Sequence, residues 1–131
     1  MPPRKKSSPL QELLTSEAQD AKLLAALLVS PADQVIASYV IGGLDKATAE
    51  TPLVTTQRIF SHAESRAQLA QLQESVFYDL DGRRLICRTL MLPSLDATTP
   101  HLLIVMTTAE QTYRRSVNKL IRAIENATGS F

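Results

Sequence analysis

Apolar residues recur at helical spacing in the first part of the chain, beginning near Pro9, which suits the first turn of a helix. This spacing allows one helix over 9–29. It equally allows a short helix ending near Asp20, a strand over 22–29 and a tight turn over 30–33. Leucine and alanine favour the long helix, whereas the Pro-Ala-Asp turn favours the hairpin. The pattern alone leaves both interpretations open.

A second strand is predicted over 34–41, because β-branched and aromatic residues fill it and two glycines follow it. Residues 44–53 are small and polar, which is typical of a connector. A helix is then predicted from Pro52 or Val54 to Gln73. Its apolar line is narrow and rich in alanine, which lets the helix lie close to whatever it packs against; the line comprises Leu53, Phe60, Ala63, Ala67 and Ala70.

The dipeptide Asp81-Gly82 stands between two strand-like segments and predicts a hairpin with a two-residue type I′ turn. Counting outward from that turn pairs Asp79 with Arg84 as complementary charges. One face of the hairpin then carries Val76, Tyr78, Leu85 and Cys87, and the other carries Phe77 and Ile86.

The segment His101–Thr107 is almost continuously apolar, as a central strand buried on both faces would be. A capping box over 108–111 opens the last helix, which has a natural end at Asn126 or Gly129. One stripe of this helix is apolar, and the opposite side is basic, with Arg114, Arg115, Lys119 and Arg122. The predicted fold is therefore α/β (α+β), with the order α-β-β-α-β-β-β-α.

Length and composition fit one domain over 9–131 after a disordered basic tail over 1–8. The chain has 131 residues, 44% of them hydrophobic and 21% charged, which is ordinary for a globular domain. Its net charge of +1 argues against a dedicated nucleic-acid binder, and no apolar run is long enough for membrane insertion. Cys87, the single cysteine, suits a reducing, cytoplasmic compartment.

Candidate chemistry is sparse, so we expect no catalytic residues, no cofactor and no metal site. His62 and His101 have no cysteine or histidine nearby at ligand spacing. Cys87 is predicted to be a small buried thiol rather than a nucleophile. Phosphate-binding glycine motifs and a nucleophile elbow are both missing from the sequence. A non-enzymatic role is the expectation.

One surface stands out as a place for a partner: the alanine-rich helix together with the strand over 75–80. If that strand is a sheet edge, its open backbone groups favour strand addition. The residues predicted for this pairing surface are Phe60, Ala63, Ala67, Val76, Phe77 and Tyr78. An ordinary cover helix and strand are an equally good interpretation of the pattern.

The order of elements resembles the roadblock superfamily, and most of all its late-endosomal adaptor branch, found in the Ragulator complex and the fungal EGO complex. Three stretches carry the likeness: KLLAALLVSPADQVIASYV as an opening hairpin, SVFYDLDGRRLICRTL as the third and fourth strands, and HLLIVMTTAEQTYRRSVNKLIRAIE as the fifth strand and final helix. Dynein roadblock light chains generally lack that final helix. The likeness favours a strand over 22–29.

The resemblance implies a five-stranded, mainly antiparallel sheet and pairing through the second helix and third strand, which are residues 54–73 and 75–80 here. It implies a scaffold for TOR nutrient signalling that pairs with another roadblock-fold subunit and docks Rag-type small GTPases. A separate lipidated anchor subunit would hold it at the late endosome, lysosome or vacuole. The alternatives are a homodimeric small-GTPase regulator of the prokaryotic polarity type and a small-molecule-sensing α/β domain.

Overall fold

A computed structural model describes residues 9–66, 72–110 and 113–129. Within these ranges the elements follow the predicted order α-β-β-α-β-β-β-α. They are α1 (Pro9–Asp20), β1 (Ala25–Val29), β2 (Val35–Val40), α2 (Lys46–Arg66), β3 (Glu74–Tyr78), β4 (Arg84–Leu90), β5 (His101–Thr107) and α3 (Tyr113–Gly129). The predicted basic tail and Ala67 lie outside the described residues, as does Gln111 of the capping box.

The strands form one antiparallel sheet in the order β2-β1-β5-β4-β3. α1 and α3 cover one face of this sheet, and α2 covers the other. β5 lies at the centre with its side chains buried on both faces, which confirms the prediction for this apolar run. The fold therefore has three layers with a separate apolar core on each side of the sheet.

The short-helix interpretation of the N-terminal region is right for the end of the helix, although the strand begins at Ala25 and not at residue 22. α1 ends in a Schellman motif: the N–H of Leu23 donates to the carbonyl of Ala18, and the N–H of Lys22 donates to the carbonyl of Gln19. Lys22 itself has a left-handed φ of 57°. Glycine is usual at this position, and lysine stands here instead, so the sequence does not mark the end of the helix. All five residues of β1 are buried.

α2 begins at Lys46, so the predicted connector over 44–53 is wrong over most of its length. Asp45 is the N-cap, because its carboxylate accepts hydrogen bonds from the N–H and the hydroxyl of Thr48 at 3.0 and 2.9 Å. These bonds lower the pKa of Asp45. Pro52 lies inside the helix, although it reads in the sequence as a start. The predicted end at Gln73 is also wrong, since Gln73 is outside the helix.

The predicted register of the β3–β4 hairpin is wrong by one residue. Tyr78 pairs with Arg84 rather than Leu85, because the loop has three residues between Asp79 and Arg83. The N–H of Gly82 donates to the carbonyl of Asp79, and Gly82 has a left-handed φ of 82°. A turn closed by one left-handed glycine forms this loop. The one-residue shift exchanges the predicted faces of the hairpin partners.

Replacing Gly82 by alanine should destabilise the chain by about 1–2 kcal/mol, since a Cβ there would combine a left-handed backbone with a close contact. The added atom would lie 2.9 Å from the Cβ of Ala109. Urea unfolding measures the change. Gly42→Ala is the matched control, because nothing lies within 4 Å of a Cβ at that position; an equal loss in both variants would contradict this account of Gly82.

Candidate pairing surface

β3 is an edge strand, with β4 on one side only. The N–H of Asp79 donates to the carbonyl of Arg83 at 3.1 Å, and this pair fixes the alternation of the antiparallel ladder. The backbone groups of Val76 and Tyr78 therefore point away from β4. Within the described residues, no hydrogen bond satisfies the outward groups of Val76. This edge is open to another strand.

One flank of α2 carries the apolar residues Ile59 and Ala63. The side-chain amide of Gln57 donates to the carboxylate of Asp33 at 2.9 Å, which shows that Gln57 faces the β1–β2 turn. At about 100° per residue, Ile59 lies on the opposite flank of α2 from Gln57. Ile59 is 47% exposed, and Ala63 is half-buried. The flank of α2 opposite the β1–β2 turn is therefore apolar and partly exposed.

Phe77 and Leu85 continue this apolar surface on the sheet. They are register partners on the face that α2 covers, and both are partly exposed. α2 packs chiefly over β1, β5 and β4, so it leaves these side chains partly open. We define the pairing surface by the outward edge of β3 and by Ile59, Ala63, Phe77 and Leu85.

The six residues predicted for pairing differ in where the structure places them. Phe60 is 2% exposed in the core under α2, so it has no surface to offer a partner. Its helical position, 100° from Ile59, turns it onto the sheet. Ala67 is outside the described residues. The other four lie on or beside the open edge, where their role stays a prediction: Ala63, Val76, Phe77 and Tyr78.

Sequence reasoning assigned Ile59 and Leu85 no role in pairing. Ile59 stands beside the narrow alanine line of α2, and an apolar residue outside the core-facing line is the signal that would have found it. Leu85 was missed because the predicted register sets it opposite Tyr78. With the observed register, it lies next to Phe77.

Tyr78 is held at the edge by an aromatic–arginine cluster on the other face of the sheet. The guanidinium of Arg84 lies 5.8 Å from the ring centroid of Tyr78 and 5.2 Å from that of Tyr113. Arg114 lies 6.0 Å from the ring of Tyr113. The predicted Asp79–Arg84 charge pair is wrong, because Arg84 packs with these rings. Tyr78 remains 63% exposed.

A cavity of about 400 Å³ lies on the opposite flank of α2 from the pairing surface. Its polar lining includes Asp33, Ser61, Glu64 and Thr89. The carboxylate of Glu64 accepts a hydrogen bond from the N–H of Leu72 at 2.9 Å. This cavity is the place that the small-molecule alternative would use.

Cys87 of β4 is fully buried, with its side chain in the core under α2, as predicted for a structural thiol. Burial, with a smaller effect of the Glu64 carboxylate, raises the pKa of Cys87 to about 12. The thiolate that a nucleophile or metal ligand needs is therefore scarce at neutral pH. In the described ranges, no three His, Cys, Asp or Glu side chains form a group able to hold a metal ion.

His101 is buried at the start of β5. Its Nδ1 has no hydrogen-bond partner among the described residues. Burial lowers the pKa of His101, although the nearby Asp96 carboxylate raises it to a smaller extent. The folded chain therefore favours the neutral imidazole.

We expect acid to destabilise the chain through His101. The unfolded chain binds a proton near pH 6.5 and the folded chain only at lower pH, so stability is lost as the pH falls below about 6.5. Urea unfolding at pH 7 and pH 5 should show a smaller loss for His101→Leu than for the wild type. His62→Gln, at an exposed position of α2, is the control. If His101→Leu loses as much stability between pH 7 and pH 5 as the wild type does, His101 is not the cause of the acid sensitivity.

The predicted basic side of α3 is exposed, and Lys119 lies 3.4 Å from the carboxylate of Asp20 at the end of α1. An exposed pair of this kind contributes little to stability. Of the helices in the described ranges, none combines the length and the apolar character that a membrane-spanning helix needs.

No family model matches the sequence, and no curated protein matches it. Solved structures do match the fold. Myxococcus xanthus MglB has a TM-score of 0.65 at 10% identity and covers 99% of this chain and 95% of its own. The gliding protein MglB of Thermus thermophilus has a TM-score of 0.62 at 13% identity over 95% and 94%.

A roadblock/LC7 domain from Streptomyces avermitilis has a TM-score of 0.55 at 18% identity, covering 92% of this chain and 98% of its own. These matches extend over nearly the whole of both chains, so they include the helices as well as the sheet. With its order of elements and its single five-stranded sheet, the chain has the roadblock fold.

Proposed function

We propose that this chain is a homodimeric regulator of a small GTPase, of the prokaryotic polarity type, with no catalysis of its own. The observation that carries the proposal is the open β3 edge, in a fold that also leaves Ile59 of α2 and the register partners Phe77 and Leu85 partly exposed. A second copy that adds its β3 to this edge satisfies the outward backbone groups and covers Ile59, Phe77 and Leu85.

The chemistry of the edge suits two copies related by a two-fold axis. Antiparallel pairing centred on Val76 sets Glu74 of one copy opposite Tyr78 of the other, so the two carboxylates do not face each other. The same apolar residues meet on both sides of the axis, as an isologous interface requires. The described surface can therefore meet the same surface of a second copy without opposing like charges.

The comparisons favour this proposal over the Ragulator-type scaffold. The similar structures include MglB proteins, one of them described as a gliding protein and another, with a TM-score of 0.53 at 18% identity, as having a tetrameric arrangement. A heterodimeric scaffold for Rag-type GTPases, with a lipidated anchor subunit at the lysosome or vacuole, is supported by the sequence resemblance alone. It is the second candidate.

The test begins with the chain recovered from its own cells with any GTPase that copurifies. That GTPase is then assayed for GTP hydrolysis and nucleotide exchange with the purified wild-type chain and with a pairing-deficient variant. We expect a change in one rate with the wild type and no change with the variant. Equal rates with and without the chain would contradict a regulatory role, and recovery of a pair with a different chain would favour the scaffold.

The small-molecule alternative has a separate test, because its site would be the cavity beside Glu64. A metabolite panel that leaves the melting temperature unchanged would count against it. A shift that disappears in Ser61→Phe, which fills the cavity, would favour it over the pairing proposal.

A further inference from the structure

β2, at the other edge of the sheet, is closed by a side chain. The N–H of Ser38 donates to Oε1 of Gln11 at 2.9 Å, and Nε2 of Gln11 donates to the carbonyl of Ser38 at 2.7 Å. The register places Ser38 opposite Leu27. Because the N–H of Ile41 donates to the carbonyl of Leu24 in the same ladder, Ser38 lies between hydrogen-bonded pairs, so its backbone groups point away from β1. A primary amide offers one acceptor beside its donors, as a peptide group does. Gln11 thus takes the place that the next strand would occupy.

The orientation of the Gln11 amide is fixed by Thr15, one turn further along α1. Nε2 of Gln11 also donates to Oγ1 of Thr15 at 3.0 Å, and that hydroxyl donates to the backbone carbonyl of Gln11 at 2.9 Å. The hydroxyl proton is therefore already used, and Oγ1 is an acceptor toward the amide. A flipped amide would place two acceptors together, so Oε1 is kept toward Ser38.

α1 holds this amide on a fixed support. Leu14 and Ala18 are fully buried against the sheet, on the same helix as Gln11. The edge that Gln11 protects includes Val35, which is 51% exposed at the start of β2. An edge with exposed apolar side chains and open backbone groups invites strand addition. The two edges thus differ: β2 is closed at Ser38, near its centre, and β3 is open at Val76, its middle residue.

We propose that Gln11 closes the β2 edge to strand addition by a second copy of this chain. Two copies that pair through β3 form a sheet whose outer edges are both β2, so growth of the sheet stops at two chains. This limit on growth goes beyond the proposed function and rests on its pairing through β3. The closure of β2 itself does not depend on that pairing.

The experiment compares full-length wild type with Gln11→Ala and with Gln19→Ala, a control on α1 beside the same strand. Hydrogen exchange reports the Ser38 amide, and sedimentation velocity over a concentration series reports mass. In Gln11→Ala we expect exchange of the Ser38 amide to be roughly tenfold faster and species to appear that are larger than the wild-type assembly. Gln19→Ala should match the wild type in both measurements.

Unchanged exchange at Ser38 in Gln11→Ala would overturn the closure. Faster exchange without any species above the wild-type mass would overturn the claim that Gln11 limits growth. Gln11→Met, which keeps the length of the side chain but has no amide, gives the same two readings if the alanine variant folds poorly. A monomeric wild type would refute the proposed pairing, and the exchange at Ser38 would still decide the role of Gln11.

Discussion

Val76→Pro should weaken self-association by about a hundredfold or more, while the isolated chain stays folded. The N–H of Val76 points away from β4, so proline removes no hydrogen bond of the β3–β4 ladder. It does remove a donor that a second copy would use and places a ring at the edge. Since both copies carry the change, two intermolecular hydrogen bonds are lost near the axis, worth about 2–3 kcal/mol together. Sedimentation equilibrium measures the association constant.

Val76→Thr is the matched control, because it keeps the backbone N–H and the branched shape at Cβ. We expect its association constant to stay within a few-fold of the wild type. Circular dichroism of the proline variant at low concentration checks that the monomer is folded. Equal association of Val76→Pro and wild type would show that the copies do not pair through β3.

Phe60→Ala should have the largest effect on stability, lowering the free energy of unfolding by about 3–5 kcal/mol. Phe60 fills the core between α2 and the sheet and is almost fully buried, so its removal leaves a cavity. A loss of this size is a large part of the 5–15 kcal/mol typical of a folded domain. Urea unfolding at a concentration too low for pairing measures it.

Ile59→Ala provides the comparison, since Ile59 is the next residue on α2 but lies on its exposed flank. We expect it to change the stability of the monomer by less than about 1 kcal/mol and to weaken self-association by roughly tenfold. The opposite result, with Phe60→Ala affecting only association, would restore Phe60 to the pairing surface and contradict the core assignment.

The order of elements was predictable because each strand and helix has its own apolar pattern. The central strand β5 reads as a continuous apolar run, and it is buried on both faces. The boundaries that were predicted wrongly or left open depend on local hydrogen bonds. The Asp45 cap sets the start of α2, which was predicted too late, and Lys22 in a left-handed conformation follows the end of α1, which the pattern left open between two interpretations. Neither is marked by periodicity.

The role of the β3 edge in pairing stays a prediction, but the structure gives several of its side chains different neighbours from those the sequence suggested. Asp81-Gly82 favours a two-residue turn in isolation, whereas the chain forms a three-residue loop with Gly82 as the left-handed residue. That single shift moved Arg84 from Asp79 to the two tyrosines. The prediction that Phe60 lies on the pairing surface is at odds with its burial, for another reason. A residue on the apolar line of a helix faces the core, and only its neighbours outside that line are left for a partner.

The closing of β2 by Gln11 could not be predicted from the sequence. It depends on a side chain of α1 meeting a backbone position of Ser38, 27 residues further along the chain. Helical periodicity places Gln11 beside the core-facing line of Leu14 and Ala18 on α1, but it gives no reason to pair the amide with a particular strand position. Only the packing of α1 beside the sheet brings the two together.

Native mass spectrometry of the chain recovered from its own cells tests the central claim most directly. We expect an assembly containing two copies of the 14.4 kDa chain, lost in Val76→Pro and retained in Val76→Thr. A lone 14.4 kDa chain, or a pair with a different chain of similar size, would contradict it.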